Sequence, residues 1–182
     1  MFEEMGWLEQ SLELVLDSLD SDTANAISMF KNIWGGVDIK RIRDRWTSNA
    51  FARWGSRVDL HDGAFYQRDF DNKEYLNAWR ADEDIYETIV HELSHIWDQR
   101  SDQGLSDNLR DVVGGRFAHK FLWFEWGEYT VDIPTSWTTF QENPENPAED
   151  WAYTFSAFVV DSSRMISPER VNYVLNAIDE QR

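Results

Sequence analysis

The sequence predicts one domain of the α+β class, because helix-like and strand-like patterns of apolar residues occupy different parts of the chain. Helical spacing dominates both ends, while residues 37–45 and 57–70 alternate apolar and polar side chains, the first of them loosely, as half-buried strands do. The 182 residues can enclose one sizeable core, and no repeat or long linker divides them. We therefore expect residues 1–182 to form a single domain, with a small mixed sheet ahead of a long central helix and a mainly helical C-terminal part.

The first half of the chain is predicted to contain two helices followed by strands. Leu and Val recur at helical spacing in residues 7–18, and a second helix covers DTANAISMFKNIWGG, with Asp22 as its N-cap and a Gly-Gly pair as its stop. The segment VDIKRIRDR is typical of a strand with a solvated basic face. RVDLHDGAFYQRDF predicts one or two strands interrupted by an Asp-Gly pair, and residues 71–83 a polar approach to the next helix.

The second half is predicted to be mostly helical. A helix at about 84–99 is followed by a loop at RSDQGLSDN and by an aromatic stretch, RFAHKFLWFEWGEYTVDI. Pro134 and the ENPENP run mark another loop before a helix in NPAEDWAYTFSAFVV. Ser167 and Pro168 open the last helix. The side chains expected to face the core from this helix are Val171, Val174, Leu175 and Ile178.

The composition excludes several classes of function. There are 34 Asp and Glu residues against 17 Lys and Arg, and the net charge of −17 would repel nucleic acid and anionic membranes. Because cysteine is absent, His, Asp and Glu are the available metal ligands, and disulfides are excluded. No apolar run approaches a membrane span, and MFEEMGWLEQ lacks the basic and apolar regions of a secretory signal. We expect a soluble acidic protein.

The segment ETIVHELSHIWDQ contains a candidate metal site. Residues four apart on an α-helix are separated by about 40°, so His91 and His95 share one face and can approach a single ion. The apolar side chains from Ile85 to Trp97 fall on other faces, which indicates an amphipathic helix with a buried back. Glu92 lies at the border of the polar and apolar faces, where its carboxylate can reach a metal-activated water as a general base.

A catalytic zinc ion needs a third protein ligand and an open position for water. A third histidine after a glycine is excluded, because Asp98 and Ser101 occupy those positions. Asp107, within GLSDNLRD, is one alternative. Glu149 is favoured, since aromatic residues would form the buried back of its helix and leave the carboxylate forward. Glu149 is also the N3 residue of an Asn-Pro helix start, where a glutamate closes a capping box, so two roles compete for one side chain.

HELSHIWD followed by NPAEDWAYTF resembles the gluzincin-type zinc metallopeptidases, and most of all the group that includes the catalytic domain of anthrax toxin lethal factor. The resemblance implies a zincin-like fold in which His91, His95 and Glu149 bind Zn²⁺ and Glu92 is the general base. It also implies an edge strand beside the cleft, here near Ala64–Arg68, that pairs with an extended peptide.

The chain departs from this group at Tyr153, four residues after the ligand glutamate, where an acidic residue usually braces a ligand histidine. A phenol brings no charge, which leaves Asp98 or Asp150 for the bracing role. Tyr153 is then a candidate donor to the oxyanion formed during hydrolysis, or an aromatic packing residue. Tyr129 and His119 are weaker donor candidates, for which core or surface positions are expected.

These residues predict a zinc-dependent peptidase that acts on a peptide or protein substrate, with Glu92 and Tyr153 as its catalytic residues. The metal would polarise the scissile carbonyl, and Glu92 would pass a proton from the attacking water to the leaving amine. The alternative is a catalytically inactive zincin-fold protein that binds a metal or a partner, for which Tyr153 is the main indication. A third interpretation is a purely structural protein with no metal.

Overall fold

The computed structural model describes residues 2–43, 50–69, 74–121, 124–131, 144–161 and 167–182. These residues form helices and three small sheets, which is the α+β class that the sequence predicts. The helices are α1 (Phe2–Leu19), α2 (Thr23–Trp34), α3 (Asp82–Arg100), α4 (Gly104–Val112), α5 (Pro147–Val160) and α6 (Pro168–Asp179). The strands are β1 (Asp38–Arg41), β2 (Ala50–Arg53), β3 (Arg57–Leu60), β4 (Tyr66–Asp69), β5 (Glu74–Trp79), β6 (Arg116–Phe121) and β7 (Phe124–Thr130). None of the described helices is long and apolar enough to cross a membrane.

The start and end of α2 follow the predicted signals. The Asp22 side chain accepts a hydrogen bond from the Asn25 N–H at 3.0 Å, which caps the first turn. The helix ends where the Gly35 N–H donates to the Lys31 carbonyl at 2.9 Å. The chain then turns through Gly36 at φ +78°, a conformation that glycine adopts without steric cost, and enters β1.

The first sheet is the small mixed sheet that the sequence predicts ahead of the central helix. β1 runs parallel to β3 and β2 pairs antiparallel with β3, so the strand order is β1-β3-β2 and β2 lies at an edge. Ala50, Val58 and Leu60 are buried, whereas Phe51 is exposed. β2 was not among the predicted strands, because its four residues carry too short an alternation to be recognised.

The turn between β2 and β3 is fastened to the C-terminal end of α3. Trp54 and Gly55 occupy its central positions at φ +44° and +67°, the pattern of a type I′ turn. The Gly55 N–H donates to the Gln99 side chain at 2.5 Å, and the Arg100 guanidinium donates to the Gly55 carbonyl at 2.6 Å. From this fixed point, β2 and β3 pack along α3.

The core lies behind α3. The side chains predicted to form its apolar back are all buried, namely Ile85, Ile89, Val90, Leu93, Ile96 and Trp97. α3 packs more extensively against α5 than against any other described element. Two buried indoles also bind the α3 backbone: the Trp34 N–H donates to the Leu93 carbonyl at 2.7 Å, and the Trp151 N–H to the Ser94 carbonyl at 3.1 Å. These bonds hold the middle of α3 between α2 and α5.

α4 begins within the segment for which the sequence predicts a loop. The first turn of α4 is capped by a residue of the preceding helix. The Asp98 carboxylate at the end of α3 accepts a hydrogen bond from the Ser106 N–H at 2.9 Å. Leu105 and Leu109 are buried, and α4 packs against α5. A cap supplied by another helix leaves no local N-cap signature, so the loop prediction is wrong for this part of the chain.

Two hairpins also differ from the prediction. β5 lies in the segment predicted as a polar approach and pairs antiparallel with β4, where the rings of Tyr66 and Trp79 stack with centroids 4.3 Å apart. β6 and β7 form a hairpin in the aromatic stretch after α3, so strands are not confined to the part of the chain ahead of that helix. Both hairpins contain cross-strand side-chain pairs, such as His119 with Trp126. The residues of one strand do not indicate which other strand it pairs with, so the sequence pattern did not predict these hairpins.

α6 has the predicted start at Pro168 but a different inner face. Val174 and Ile178 are buried as expected, whereas Leu175 is 44% exposed. Arg170, a charged residue, is instead buried on the stripe of α6 that contains Val174 and Ile178. Arg170 can be buried there because its guanidinium pairs with the carboxylate of Asp150 on α5.

Candidate metal centre

Three potential ligands converge between α3 and α5. His91 and His95 project from α3 one turn apart, and Glu149 projects from the first turn of α5. One ligand atom of each residue lies within 4.8 Å of the other two. These are the three residues that the sequence analysis assigns to the metal, and the fold brings them to one point.

The distances fit a tetrahedral zinc ion. His91 Nε2 lies 3.1 Å from His95 Nε2 and 3.2 Å from a carboxylate oxygen of Glu149, and His95 Nε2 lies 3.3 Å from the other oxygen. Ligand atoms placed tetrahedrally at 2.0–2.1 Å from zinc would be about 3.3 Å apart. Two imidazoles and one carboxylate are also a donor set that zinc prefers. The residues present could therefore hold such an ion.

Burial and hydrogen bonding have opposite effects on the pKa values of Glu149 and His95. Burial opposes the ionisation of Glu149, but hydrogen bonds from both imidazoles outweigh it and hold the pKa of Glu149 far below its ordinary value. For His95, burial acts to lower the pKa, yet the hydrogen bond and charge of Glu149 prevail and the pKa is raised. Both shifts favour the charged forms of His95 and Glu149 in the metal-free protein.

The first turn of α5 presents Glu149 because the backbone is capped by another residue. The Asn146 side chain accepts a hydrogen bond from the Glu149 N–H at 3.1 Å, and Pro147 occupies the first helical position. The Glu149 carboxylate meets His91 and His95. Of the two roles that compete for this side chain, its position fits that of a ligand.

The alternative third ligand, Asp107, is not brought to the histidines. It lies in the first turn of α4 with its side chain 59% exposed, and its carboxylate is 3.5 Å from the Arg110 guanidinium. Among the described residues, the converging group consists of His91, His95 and Glu149.

Glu92 is buried next to the three ligands and is held by the edge strand. The Ala52 N–H of β2 donates a hydrogen bond to its carboxylate. Burial raises the pKa of Glu92, and the imidazoles of His91 and His95 together with this hydrogen bond offset only part of the effect. A carboxylate with a raised pKa beside a metal site has the properties of a general base that later acts as an acid.

The strand along α3 is not the one that the resemblance implies. Residues 64–68 fall in a short 3-10 turn, Asp62–Ala64, and in β4, which pairs with β5 in a separate two-stranded sheet. β2 instead packs against α3 and lies at the edge of the three-stranded sheet. The resemblance places the cleft strand near Ala64–Arg68, whereas β2 is the described edge strand with extensive packing on α3.

Tyr153 lies against a ligand. Its ring is half-buried one helical turn after Glu149, and its centroid is 4.6 Å from that of the His91 imidazole, with the planes tilted by 56°. Burial and then the charge of Glu149 raise the pKa of the phenol, so it keeps its proton and remains a hydrogen-bond donor. The position that is acidic in the family resembled here is thus filled by an aromatic ring in contact with the imidazole.

The two carboxylates considered as substitute braces have other partners. Asp98 accepts a hydrogen bond from Ser106 and so caps α4. Asp150 is paired with the guanidinium of Arg170, whose Nη1 lies 2.5 Å from its Oδ1. Asp98 thus serves the helix that follows α3, and Asp150 joins α5 to α6.

The weaker donor candidates contact residues outside the converging group. Tyr129 is buried and its hydroxyl donates to the Asp150 carboxylate at 3.4 Å. Gly115 packs so closely on this phenol that an added Cβ would lie 2.2 Å from its oxygen. His119 is exposed on the β6–β7 hairpin and faces Trp126. Core and surface positions are the ones expected for these two residues.

Several residues that hold the site were missed by sequence reasoning. Ala52 contributes a backbone N–H, which any residue type provides, so no signal marks it. The indoles of Trp34 and Trp151 bind carbonyls of α3, and only their size and number suggested burial. Arg170 had a usable signal, because a charged residue stands in register with Val174 on the apolar stripe of α6.

Comparison with protein-family models, with curated proteins and with solved structures finds no match for this chain. Its own residues therefore carry the functional inference. They are three converging metal-ligand groups, a buried carboxylate beside them, and an edge strand along the same helix.

Proposed function

We propose that this protein is a zinc-dependent peptidase with a zincin-like arrangement of sheet, histidine-bearing helix and glutamate-bearing helix. The observation that carries the proposal is the convergence of His91, His95 and Glu149 beside the buried carboxylate of Glu92. Three protein ligands leave one tetrahedral position open, which distinguishes catalytic from structural zinc. The mixed sheet packed against α3 and the docking of α5 on the same helix support the zincin-like assignment.

Zinc held by these three residues would polarise a scissile carbonyl and lower the pKa of a water molecule. Glu92 would take the proton of the attacking water and return it to the leaving amine, since its carboxylate lies beside the ligands and away from bulk solvent. The hydrogen bond from Ala52 orients that carboxylate. Tyr153 would donate its hydroxyl hydrogen bond to the oxyanion, because its phenol stays protonated next to the ligands.

An extended peptide is the substrate class that the site favours. β2 lies at a sheet edge, packs along α3 and bonds directly to Glu92. A peptide added as a further strand at this edge would pass beside the ligands, with backbone hydrogen bonds providing affinity. The acidic charge of the chain favours a cationic over an anionic peptide.

A second candidate is a protein that binds zinc without turnover. The observation in its favour is the Tyr153 ring on His91, since a phenol adds no charge to strengthen the imidazole as a ligand or to support the reaction. The two candidates make the same prediction for metal content and opposite predictions for hydrolysis.

The test combines metal analysis with hydrolysis of a diverse peptide library. The full chain is purified without chelators as wild type, as Glu92→Gln and as Glu83→Gln, the last being the same change at an exposed position of α3. We expect one zinc per chain in all three proteins. Hydrolysis should fall by a factor of about 10²–10⁴ in Glu92→Gln and stay at the wild-type rate in Glu83→Gln.

Each contrary result identifies which part of the proposal fails. Undiminished turnover in Glu92→Gln would exclude a role for this residue as general base. One zinc per chain with no hydrolysis of any peptide by the wild type would favour the non-catalytic candidate. Absence of zinc from the wild type, even after reconstitution, would overturn both.

A further inference from the structure

A buried ion pair joins α6 to the first turn of α5. Arg170 and Asp150 are each 1% exposed, and the Arg170 guanidinium meets both carboxylate oxygens, at 2.5 and 3.3 Å. The same guanidinium donates to the Thr154 hydroxyl at 2.6 Å. The Tyr129 hydroxyl of β7 adds a further bond to the Asp150 carboxylate. Such a pair holds its geometry closely, because two parallel N–H···O bonds fix direction as well as distance.

The pair acts on the part of α5 that carries the third metal ligand. Asp150 directly follows Glu149, and Thr154 lies one helical turn further along. Arg170 therefore binds α5 at two points that are about 5–6 Å apart along the helix axis. Contacts at two heights resist both rolling and sliding of the helix, and either movement would shift Glu149 relative to the imidazoles on α3.

We propose that Arg170 is a positioning residue for the metal centre, which sets the rotation and height of the first turn of α5 and thereby the place of Glu149 against His91 and His95. The inference rests on the proposed zinc site. It makes α6, which contributes no residue to the converging group, a part of the machinery that shapes the site. Arg170 acts through Asp150 and Thr154 and not as a ligand itself.

Charge alone does not account for a pair buried at this place. Removing two charges from water is costly, and apolar residues of similar size often stabilise a fold equally well. The ion pair offers orientation that apolar packing lacks, because dispersion contacts have no preferred direction. The proposal therefore predicts that metal affinity and fold stability respond differently when the pair is altered.

The experiment measures zinc affinity and stability in parallel. The full chain is prepared as wild type, as Arg170→Lys, which keeps the charge but loses the two-point contact, and as a double variant, Asp150→Leu with Arg170→Met. The control is Arg41→Lys, because Arg41 forms ion pairs with Glu4 of α1 and with Asp62 of the 3-10 turn. Zinc dissociation constants are obtained by competition with a chromophoric chelator. The visible spectrum of bound Co²⁺ reports ligand geometry, and urea unfolding of the metal-free proteins reports stability.

We expect Arg170→Lys to weaken zinc binding about tenfold and to alter the Co²⁺ spectrum, with Arg41→Lys within about twofold of wild type. The double variant should unfold near the wild-type urea midpoint and still bind zinc weakly. Wild-type zinc affinity and Co²⁺ spectrum in Arg170→Lys, or in the double variant, would overturn the inference while leaving the zinc site intact. A wild type that binds no zinc would instead overturn the proposed function, and this inference with it.

Discussion

His95 Nε2 lies 3.3 Å from a carboxylate oxygen of Glu149, so two ligands for one ion are bound to each other when the metal is absent. Burial works against both charges, yet their attraction raises the pKa of His95 and lowers that of Glu149. Because only a neutral imidazole can act as a ligand, a metal ion that binds His95 would compete with a proton for this side chain. In the metal-free protein the two side chains are thus in contact, and their charged forms are favoured.

The first prediction concerns the pH dependence of this contact. Zinc affinity should fall about tenfold for each pH unit below the pKa of His95, because one proton must leave for each ion bound. In Glu149→Gln the burial of His95 and the charges of Glu92 and Asp98 remain but the hydrogen-bonded carboxylate is lost, so the pKa of His95 should be lower than in the wild type. Titration of the imidazole signals by NMR in the metal-free protein measures this, with exposed His119 as the internal control. An unchanged pKa of His95 in Glu149→Gln would contradict the role of Glu149 in raising it.

The contact between His95 and Glu149 should stabilise the metal-free fold within a limited pH range. The raised pKa of His95 stabilises the fold fully below the unfolded pKa of histidine, and this contribution is lost as the pH rises through the folded value. The lowered pKa of Glu149 contributes above the unfolded pKa of glutamate and is lost as the pH falls through the folded value. Both contributions are present together at mildly acidic pH. Urea unfolding of the metal-free protein across pH, compared with Glu149→Gln, should show this window only in the wild type.

The second prediction separates the two candidates for the third ligand. Glu149→Ala should weaken zinc binding by more than about a hundredfold, since loss of groups that merely support ligands already costs 10–100-fold. Asp107→Ala should bind zinc as the wild type does, because its carboxylate is exposed and paired with Arg110. Zinc content after dialysis against a weak chelator measures both. Loss of zinc from Asp107→Ala alone would reverse the assignment.

The third prediction concerns the ring and the hydroxyl of Tyr153. Tyr153→Phe should keep zinc affinity and KM while kcat falls about a hundredfold, as expected when an oxyanion donor is lost. Tyr153→Ala should also weaken zinc binding, because the ring packs on the His91 imidazole. Tyr173→Phe is the matched control, since that hydroxyl donates to the Leu105 carbonyl at 2.8 Å, away from the ligands. An unchanged kcat in Tyr153→Phe would restrict Tyr153 to packing.

The fourth prediction concerns the turn between β2 and β3. Trp54 adopts φ +44° with a side chain that is 94% exposed, so the backbone is strained and the indole makes few contacts. Trp54→Asn should stabilise the protein by about 0.5–1 kcal/mol in urea unfolding, because Asn tolerates the left-handed conformation. Trp54→Ala removes the same ring without that tolerance and should not be stabilising. Destabilisation in Trp54→Asn would show that the indole is needed for packing.

The elements that the sequence predicted well are those with a long, self-contained pattern. The apolar back of α3 repeats over five turns, so its register alone predicts the shared direction of His91 and His95. The first turn of α5 carries its own Asn-Pro start, which located Glu149. In each case the information lies within one segment, where spacing alone determines which side chains share a face.

The elements that were missed depend on partners distant in the sequence. α4 starts where Asp98 of the preceding helix caps Ser106, and β2 is recognisable as a strand only beside β3. The role of Ala52 follows from the direction of one backbone N–H toward Glu92. Tertiary hydrogen bonds of this kind have no periodicity, so the sequence predicts the ligands more completely than the strand and helices that surround them.

The contact between His95 and Glu149 also determines when the site can appear during folding. The two residues lie on helices separated by α4 and the β6–β7 hairpin, so bringing them together closes a long loop and costs chain entropy. An isolated α3 would present both imidazoles but no carboxylate from α5. The proposed three-ligand site is consequently a property of the folded chain and not of the histidine-bearing segment. If the proposed zinc site exists, nascent or partly unfolded molecules would bind the ion only weakly until the two helices dock.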